Sequence, residues 1–241
     1  MIDGSWHEDI RPLMTVMEYV GTFAGAMSGV RLACVKRFDW FGAYVIGFIT
    51  ALGGGTLRDV LLDVTPFWMA APSYVLATFG AVVAVWLFGR RFISGQITWF
   101  IFDTIAISVF MVIGLEKTIN VLEAHNLAAS AGATLYSRTA ICMNALTMGV
   151  ITAVFGGVLR DICINEVPLI FRKELYALAC AAGGMFYYIL LWCGVDDAYI
   201  RYLASVALIF IIRALAIKFH LGVPVLTGRG SVHIHHKTGK K

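Results

Sequence analysis

The chain contains the same motif twice, each time at the end of an apolar run. Residues 47–59 read GFITALGGGTLRD and residues 149–161 read GVITAVFGGVLRD, so the copies lie 102 positions apart. A proline follows each copy in register, at Pro66 and Pro168. Charged Arg-Asp pairs inside apolar segments are unfavourable against lipid alone. Duplicated apolar segments that each carry a glycine cluster indicate a pathway across a membrane.

The composition also indicates a membrane protein. Hydrophobic residues make up 59% of the chain and charged residues 14%, with a mean hydropathy of +0.80. Ordinary soluble domains are far more polar. Apolar runs long enough to cross about 30 Å of hydrocarbon predict seven helices. They lie near residues 13–35, 40–57, 73–89, 97–115, 139–157, 175–193 and 199–219.

The distribution of basic residues predicts the orientation. When alternate loops are assigned to alternate sides, most basic residues fall on one side: Arg31, Lys36, Arg37, Arg90, Arg91, Arg172, Lys173, Lys218, Arg229, Lys237, Lys240 and Lys241. The positive-inside rule makes that side cytoplasmic and places the N-terminus outside a plasma (inner) membrane. The acidic N-terminal segment lacks the basic region of a cleaved signal. The net charge of +4 therefore reflects topology and does not imply a nucleic-acid partner.

The expected organisation is two inverted repeats of three helices each and one additional helix. Because three helices form each copy, the two copies must enter the membrane from opposite sides. Residues 1–12 form an extracytoplasmic segment, 13–95 the first repeat and 96–194 the second, inverted repeat. Residues 195–220 form the seventh helix, and residues 221–241 form a basic cytoplasmic tail. Inverted repeats place equivalent helix interruptions near the bilayer midplane, where transport sites occur.

The glycine clusters are predicted to break the second and fifth helices. Glycine permits unusual backbone angles that free carbonyls and amides from the helical ladder. The alternative is that these glycines only allow helices to pack closely, as small residues commonly do in membranes. The residues concerned are Gly53, Gly54, Gly55, Gly156 and Gly157.

The repeated Arg-Asp pairs are the most expensive residues to place in a bilayer, at about 2.5–3.5 kcal/mol each on insertion scales. Adjacent residues on a helix do not face each other. We therefore expect crosswise pairing, Arg58 with Asp161 and Arg160 with Asp59, as pore-shaping charges. Alternatively, both arginines extend to the headgroups while the aspartates occupy interfacial turns.

Other polar residues are candidates for the pathway. Thr50 and Thr152 precede the two glycine blocks, where their hydroxyls line a wet passage or bond back to the preceding helical turn. Glu18 and Asp103 lie near the beginnings of apolar helices, and Lys117 follows the fourth. Carboxylates at a mouth concentrate cations, and a lysine at the boundary responds to voltage; the alternative for all three is an interfacial anchor.

Metal and enzyme chemistry are not indicated. The five cysteines occur singly, without CxxC spacing, which is typical of structural small residues. His233, His235 and His236 lie in a Gly- and Lys-rich tail, where a solvated segment is favoured over a metal site. The chain contains no P-loop, HExxH or GxSxG motif. We expect no cofactor and no enzymatic activity.

These motifs resemble the prokaryotic trimeric intracellular cation (TRIC) channels, whose bacterial members also carry uncharacterised-family or glycine-transporter labels. The resemblance runs from about Tyr19 to Leu191. Its strongest signatures are GGGTLRD at 53–59, PFW at 66–68, GGVLRD at 156–161, EVPL at 166–169 and ELYA at 174–177.

The resemblance implies a homotrimer in which each protomer has seven helices and its own pore for monovalent cations, chiefly potassium and also sodium. It assigns the glycines to kinks in the second and fifth helices, and Arg58 and Arg160 to holding the kinks or shaping the pore. Lys117 matches a family lysine linked to gating. Phe155 replaces the first glycine of the second motif, which departs from the family pattern. Lipids are the other expected partners.

Three functions remain open at this point. A channel requires a continuous wet route with weak binding. A carrier of a small solute such as an amino acid would use the same inverted architecture and close a pocket around its substrate. A net-positive lining from unpaired Arg58 and Arg160 would favour the carrier, and neutralisation by the aspartates would favour the channel. A non-transporting scaffold would leave the helix interruptions dry and tightly packed.

Overall fold

The structure is a computed structural model that describes residues 6–93, 96–129, 135–172, 175–219 and 221–222. Within these ranges the protein is all-α, as the sequence predicts. Most of the predicted C-terminal tail, including its histidines, lies outside the described residues, as do Lys173 and the side chains of Arg90 and Arg91.

A long helix occupies each of the seven predicted positions. These helices are α1 (Trp6–Val35), α2 (Trp40–Leu61), α4 (Ser73–Ile93), α5 (Gln96–Ala128), α6 (Arg138–Cys163), α7 (Ala177–Trp192) and α8 (Ala198–Lys218). The short helix α3 (Phe67–Ala70) follows α2, and a 3₁₀ turn (Leu169–Phe171) follows α6. Among the residues that the structure describes, four segments are long and apolar enough to cross a membrane: Trp40–Leu61, Phe100–Ala128, Arg138–Cys163 and Ala198–Lys218.

Two expectations about the helices are wrong. The fourth helix does not end near residue 115, where its apolar run ends; α5 continues for several turns and ends at Ala128. The predicted breaks at Gly53–Gly55 and Gly156–Gly157 do not occur, because α2 and α6 run without interruption through both glycine clusters. Single glycines cost a helix only about 1 kcal/mol each, which close packing offsets.

Helix α5 lies at the centre of the bundle. In its most apolar window 72% of the residues are buried, against 33–44% for the other three membrane-spanning candidates. Met111, Val112, Ile113 and Leu115 of α5 belong to the main apolar core together with residues of α6, α7 and α8. A second core joins α1, α2 and α4 around Met27, Leu52 and Val82. The carboxylates of Asp103 and Glu116 on α5 are therefore held inside protein.

Side chains cap the helices that begin after short loops. The Asp39 carboxylate accepts a hydrogen bond from the Gly42 amide at 2.7 Å, and the Ser137 hydroxyl accepts one from the Ala140 amide at 3.2 Å. Asp197 caps α8 in the same way. These caps satisfy amides that the first helical turn leaves without partners.

Two loops that are far apart in sequence meet at one end of the bundle. Lys36, after α1, forms an ion pair with Glu166, after α6, at 2.5 Å. Arg172 lies 3.4 Å from the other carboxylate oxygen of Glu166. Lys36 and Arg172 therefore lie at the same end, as the positive-inside assignment requires. Which end is cytoplasmic stays a prediction.

Candidate functional site

The two motif helices cross in antiparallel orientation at their glycines. A Cβ atom at Gly54 would overlap the carbonyl oxygen of Thr152, and one at Gly156 would overlap the carbonyl oxygen of Thr50. Gly54 and Gly156 occupy equivalent positions in the two motif copies, as do Thr50 and Thr152. The glycine of each helix therefore meets the threonine carbonyl of the other. The glycines allow the two backbones to touch, which is the packing alternative considered from the sequence.

The two threonines bond within their own helices. Thr50 donates to the carbonyl of Ile46 and Thr152 to that of Met148, both at 2.6 Å. The Thr50 hydroxyl lies against Gly29 of α1, and the Thr152 hydroxyl lies against Gly114 of α5. A Cβ atom at either glycine would overlap the hydroxyl. Both threonines are buried. Their hydroxyls therefore bond to the preceding turn of their own helix in this structure, which is the second of the two alternatives considered from the sequence.

The remaining motif glycines face bulky side chains. A Cβ at Gly53 would lie 3.0 Å from Leu159 of the partner helix, and one at Gly157 would lie 3.1 Å from the Tyr176 hydroxyl. At Gly55 it would meet the ring of Phe67. All five predicted glycines therefore lie in contacts between elements.

A first ion cluster lies at the end of α2. The Arg58 Nε donates to Asp59 Oδ1 at 2.8 Å, and Lys117 of α5 donates to Asp59 Oδ2 at 3.0 Å. Arg58 and Asp59 are almost fully buried, whereas the Lys117 side chain is 26% exposed. One buried carboxylate thus holds two cations from two helices.

The loop after α2 completes this first cluster. The Phe67 amide donates to Asp59 Oδ2 at 2.9 Å. The Phe67 ring lies 5.9 Å from the Arg58 guanidinium carbon and 5.7 Å from Lys117 Nζ. A ring face at this distance attracts a cation. Arg58 and Lys117 thus contact the same carboxylate and the same ring.

A second ion cluster lies at the end of α6 and repeats the first. Arg160 Nε donates to Asp161 Oδ1 at 2.8 Å, and Asp161 Oδ2 accepts from the Leu169 amide at 3.1 Å. Arg160 Nη1 also donates to Asp103 of α5 at 2.9 Å and to Ser28 of α1 at 2.8 Å. Arg160 is fully buried. Its guanidinium therefore joins three helices.

The predicted crosswise pairing is wrong. Each arginine bonds to the aspartate that follows it, Arg58 to Asp59 and Arg160 to Asp161. The argument that adjacent residues do not face each other fails here because the long arginine side chain bends back along the helix end. The aspartate in turn is held by an amide of the next loop, eight residues on. The headgroup alternative also fails, since both arginines are buried.

The structure adds Arg213 of α8 to the second cluster. Its Nη2 lies 3.9 Å from Asp103 Oδ2, and its guanidinium carbon lies 4.8 Å from the Tyr176 ring centre. Arg213 is 1% exposed. The sequence does show Arg213 as a charged residue inside an apolar helix. It was not predicted as a site residue because α8 lies outside the two repeats.

A polar network that the sequence analysis missed joins α5, α7 and α8. Glu116 accepts a hydrogen bond from the Tyr187 hydroxyl, and Arg201 Nε donates to the same hydroxyl at 3.4 Å. Arg201 also donates to the carbonyls of Val195 and Asp196. Glu116 bonds to α7, whereas the next residue, Lys117, bonds to α2. Two adjacent side chains of α5 therefore connect it to different helices. Adjacent charges of opposite sign inside an apolar helix were the available signal.

Glu18 of α1 is partly buried against α4. It accepts a hydrogen bond from the Tyr74 hydroxyl at 2.5 Å, and the Tyr19 ring stacks on that of Tyr74 at 4.6 Å. Phe67 packs edge-on against Tyr74, and Glu18 interacts electrostatically with Lys117. The carboxylate is therefore part of the surroundings of the first cluster.

The two clusters lie on opposite sides of the crossing. Arg58 follows Gly54 by one helical turn, and Arg160 follows Gly156 by one turn on the antiparallel helix. At a rise of 1.5 Å per residue, two helical turns separate the two arginines by on the order of 12 Å or more along the bundle. The arrangement has a charged group at each end and a tight glycine contact between them.

The fold and these buried charges define a multi-pass α-helical membrane protein. A family described as "Glycine transporter" matches residues 15–90 and 100–192. A UPF0126 membrane protein of Vibrio cholerae is 35% identical over 216 residues, covering 88% of this chain and 82% of the relative. The UPF0126 inner membrane protein YadS of Escherichia coli is 35% identical over 212 residues, covering 86% and 93%.

A solved structure has the same fold. The crystal structure of the TRIC trimeric intracellular cation channel orthologue from Rhodobacter sphaeroides is similar with a TM-score of 0.74 at 30% identity. The match covers 88% of this chain and 100% of that one. The chain belongs to this family of prokaryotic TRIC-type, UPF0126 membrane proteins, which are not enzymes.

Proposed function

We propose that the protein is a potassium-permeable channel for monovalent cations, conducting passively through a pore within each protomer of a homotrimer. The observation that carries this proposal is that each buried motif arginine is neutralised by its own aspartate. Unpaired arginines would repel cations and favour a carrier of anionic solutes. With the arginines paired, the interior can accept a cation.

The charge balance of each cluster supports cation passage. In the second cluster, Arg160 and Arg213 face Asp103 and Asp161, so that formal charges cancel. In the first, Arg58 and Lys117 share Asp59, with Glu18 as a further carboxylate that interacts with Lys117. Near-neutral surroundings let an ion enter and leave without a deep well or a high barrier.

The repeated contacts support two inverted repeats and seven spans. Equivalent helices cross antiparallel at equivalent glycines, and both Arg-Asp pairs are held by the loop amide eight residues on. A pseudo-twofold axis in the membrane plane would produce these features. With the basic loops inside, the N-terminus is outside and the C-terminus is cytoplasmic.

Lys117 is our candidate for a gating charge. Its side chain is the most accessible member of the first cluster, and it binds Asp59 across the α5–α2 interface. Movement of one elementary charge through a membrane potential of 100 mV is worth about 2.3 kcal/mol. Release of Lys117 from Asp59 would leave the carboxylate available to a permeant cation.

Lipid is the other expected ligand. An open cavity of about 460 Å³ lies between α5 and α8 and is lined by apolar side chains such as Val109, Leu203 and Phe210. An apolar surface between two helices of this kind suits acyl chains rather than ions. No cofactor is proposed.

The family description favours one alternative, a secondary transporter of a small solute such as glycine. Its substrate would bind in the same inverted-repeat site. The tight contact at Gly54 and Gly156 would then be one gate of an alternating-access cycle.

Potassium flux in proteoliposomes separates the two functions. A potassium gradient should generate a dye-detected membrane potential with the wild-type protein, and Arg58→Ala and Arg160→Ala should change it strongly. Arg172→Ala removes an exposed arginine and is the matched control. Glycine uptake driven by an ion gradient, without potassium-driven potential, would replace the channel by the carrier.

A further inference from the structure

We propose that Glu18 is the carboxylate that attracts the permeant cation at the first cluster, and that Tyr19 and Phe67 are positioning residues that hold it on Tyr74 and away from Arg58. This role rests on the proposed channel and gives the first cluster a task that the second does not have. The two motif copies place equivalent carboxylates in different surroundings, and aromatic residues of the first copy account for the difference.

Glu18 of α1 and Asp103 of α5 occupy equivalent positions in the two repeats. They lie 85 positions apart, as Gly29 and Gly114 of the same two helices do. Each of these glycines contacts the repeated threonine of its own motif helix, so that the structure supports the correspondence. The two carboxylates should therefore have the same partners if the copies were arranged identically.

The two carboxylates have different partners. Asp103 accepts a hydrogen bond from Arg160 Nη1 at 2.9 Å. Glu18 accepts one from the Tyr74 hydroxyl at 2.5 Å, and in the part of the chain that the structure describes no ion pair joins Glu18 to Arg58. One repeat carboxylate is thus paired with its motif arginine, whereas the other is bonded to a neutral phenol.

Two aromatic rings hold Tyr74 in the first copy. The Phe67 ring fills the space beside Gly55, where a Cβ atom would lie 2.6 Å from it, and packs edge-on against Tyr74 with ring centres 4.8 Å apart. The Tyr19 ring stacks on Tyr74 at 4.6 Å. Because the space beside Gly55 is filled, the Tyr74 hydroxyl is directed to Glu18.

The second copy has smaller residues at the positions of both rings, namely Leu169 and Thr104. There the hydroxyl of Tyr176, the counterpart of Tyr74, lies beside the motif glycine Gly157, where a Cβ atom would be 3.1 Å from it. The tyrosine of the second copy therefore takes the space that a phenylalanine ring fills in the first. Its carboxylate is left to the arginine.

Glu18 consequently keeps a charge that a cation can use. The phenol hydroxyl bonds only to Oε2 of Glu18, and Oε1 accepts no hydrogen bond from the described residues. Asp103, in contrast, lies 2.9 and 3.9 Å from two guanidinium groups. Lys117, which also attracts Glu18, is bound to Asp59. A partly buried carboxylate without a guanidinium partner attracts cations and repels anions.

The potassium-over-chloride permeability ratio tests the role of Glu18. The ratio follows from the reversal potential of currents in planar bilayers under a KCl gradient. Glu18→Gln keeps an acceptor for Tyr74 and removes the charge, and should lower the ratio about fivefold, the effect of one unit charge at 4 Å in water. Asp63→Asn removes an exposed carboxylate of the loop after α2 and should leave the ratio unchanged. A conducting Glu18→Gln variant with wild-type selectivity would overturn the proposal and leave the channel intact.

Exchanging the two rings for the residues of the second copy tests their positioning role. The Tyr19→Thr, Phe67→Leu double variant should lower the permeability ratio as Glu18→Gln does, although Glu18 is still present, because the carboxylate can then turn to Arg58. Tyr19→Phe keeps the ring and loses only the hydroxyl that contacts Ser73, and should conduct with wild-type selectivity. Wild-type selectivity in the double variant would overturn the positioning role.

Thermal unfolding in detergent measures the same contacts without conduction. Tyr74→Phe and Glu18→Met should shift the unfolding midpoint non-additively in the wild-type background, because the two side chains bond to each other, and additively in the Tyr19→Thr, Phe67→Leu background. Additive shifts in the wild-type background would overturn the positioning role whether or not the protein conducts. A wild-type protein without potassium current would overturn the channel and the cation role of Glu18, and the unfolding shifts would still decide the positioning.

Discussion

Each motif arginine is neutralised by the carboxylate of the aspartate that follows it. In both copies the aspartate has one oxygen on the arginine and one on a loop amide eight residues later. Removing one partner of a buried ion pair leaves the other charge uncompensated, at a cost of about 3–5 kcal/mol. The aspartates therefore control both stability and the charge that a permeant ion meets.

Asp59→Asn should lower potassium conductance on the order of tenfold, which corresponds to about 1.4 kcal/mol in the barrier. The substitution leaves Arg58 and Lys117 without the carboxylate that they share. Single-channel recording measures the effect. Asp63→Asn is the matched control, since Asp63 is exposed and asparagine tolerates its φ of 55°. Equal currents from both variants would argue against a role for Asp59 on the pathway.

Arg160→Lys should destabilise the protein by about 2 kcal/mol or more, although the charge is kept. A lysine nitrogen cannot reach Asp161, Asp103 and Ser28 together, as the forked guanidinium does. Thermal unfolding in detergent gives the difference. Arg172→Lys, at an exposed site, should have little effect. A tolerated Arg160→Lys would mean that the buried network contributes little.

At the scale of elements, α2 and α6 are continuous helices whose glycines serve the contact between them. The backbone of each helix fits against a threonine carbonyl of the other. This contact lies between the two ion clusters and joins the halves of the bundle. Movement of α2 against α6 would change both clusters at once.

Gly54→Ala should destabilise the protein by roughly 1–3 kcal/mol, because its Cβ would overlap the Thr152 carbonyl oxygen and force the helices apart. Gly80→Ala in α4 is the control, since a Cβ there meets nothing within 4 Å. Alanine at position 80 should be neutral or stabilising by up to about 1 kcal/mol. Unfolding midpoints of the two variants check the prediction. Equal midpoints would show that the crossing is not tightly packed.

The sequence was sufficient for the positions of the helices and for the residues that meet at the crossing. The period and length of apolar runs determine where helices lie, and the repeat identified Gly54, Gly156, Arg58 and Arg160. Their partners were not predictable, because an arginine has several staggered side-chain conformations and only the three-dimensional packing selects one. Arg213 and Glu116 were missed because neither belongs to the repeated motif.

At the scale of the whole molecule, the two ends of the bundle are closed differently. At one end, Lys36 and Arg172 hold Glu166. At the other end, Val64, which is the counterpart of Glu166 in the first motif copy, packs with Val121 against a small apolar cluster around Leu62, Leu122 and Ile141. Ion pairs weaken with salt and acid, whereas apolar contacts do not. The two ends should respond differently to solution conditions.

The ionic end should weaken in acid. Hydrogen bonding and charge attraction from Lys36 lower the pKa of Glu166 below its ordinary value. Because the folded-state pKa is depressed, the stabilisation is present at neutral pH and is lost as the pH falls through that pKa. Glu166→Gln should therefore melt below the wild type at pH 7, and the difference should vanish in acid. A double-mutant cycle of Lys36→Met and Glu166→Gln should give a coupling that is present at pH 7 and absent in acid, and additive effects at pH 7 would argue against a direct pair.

The most direct test of the channel is the reversal potential of single-channel currents in planar bilayers under a tenfold KCl gradient. A cation channel should give discrete steps that reverse near the potassium equilibrium potential, about 59 mV. A reversal potential of the opposite sign would indicate anion passage. Silence in bilayers, together with concentrative glycine uptake by liposomes containing the same preparation, would contradict the channel and assign the two ion clusters to a carrier.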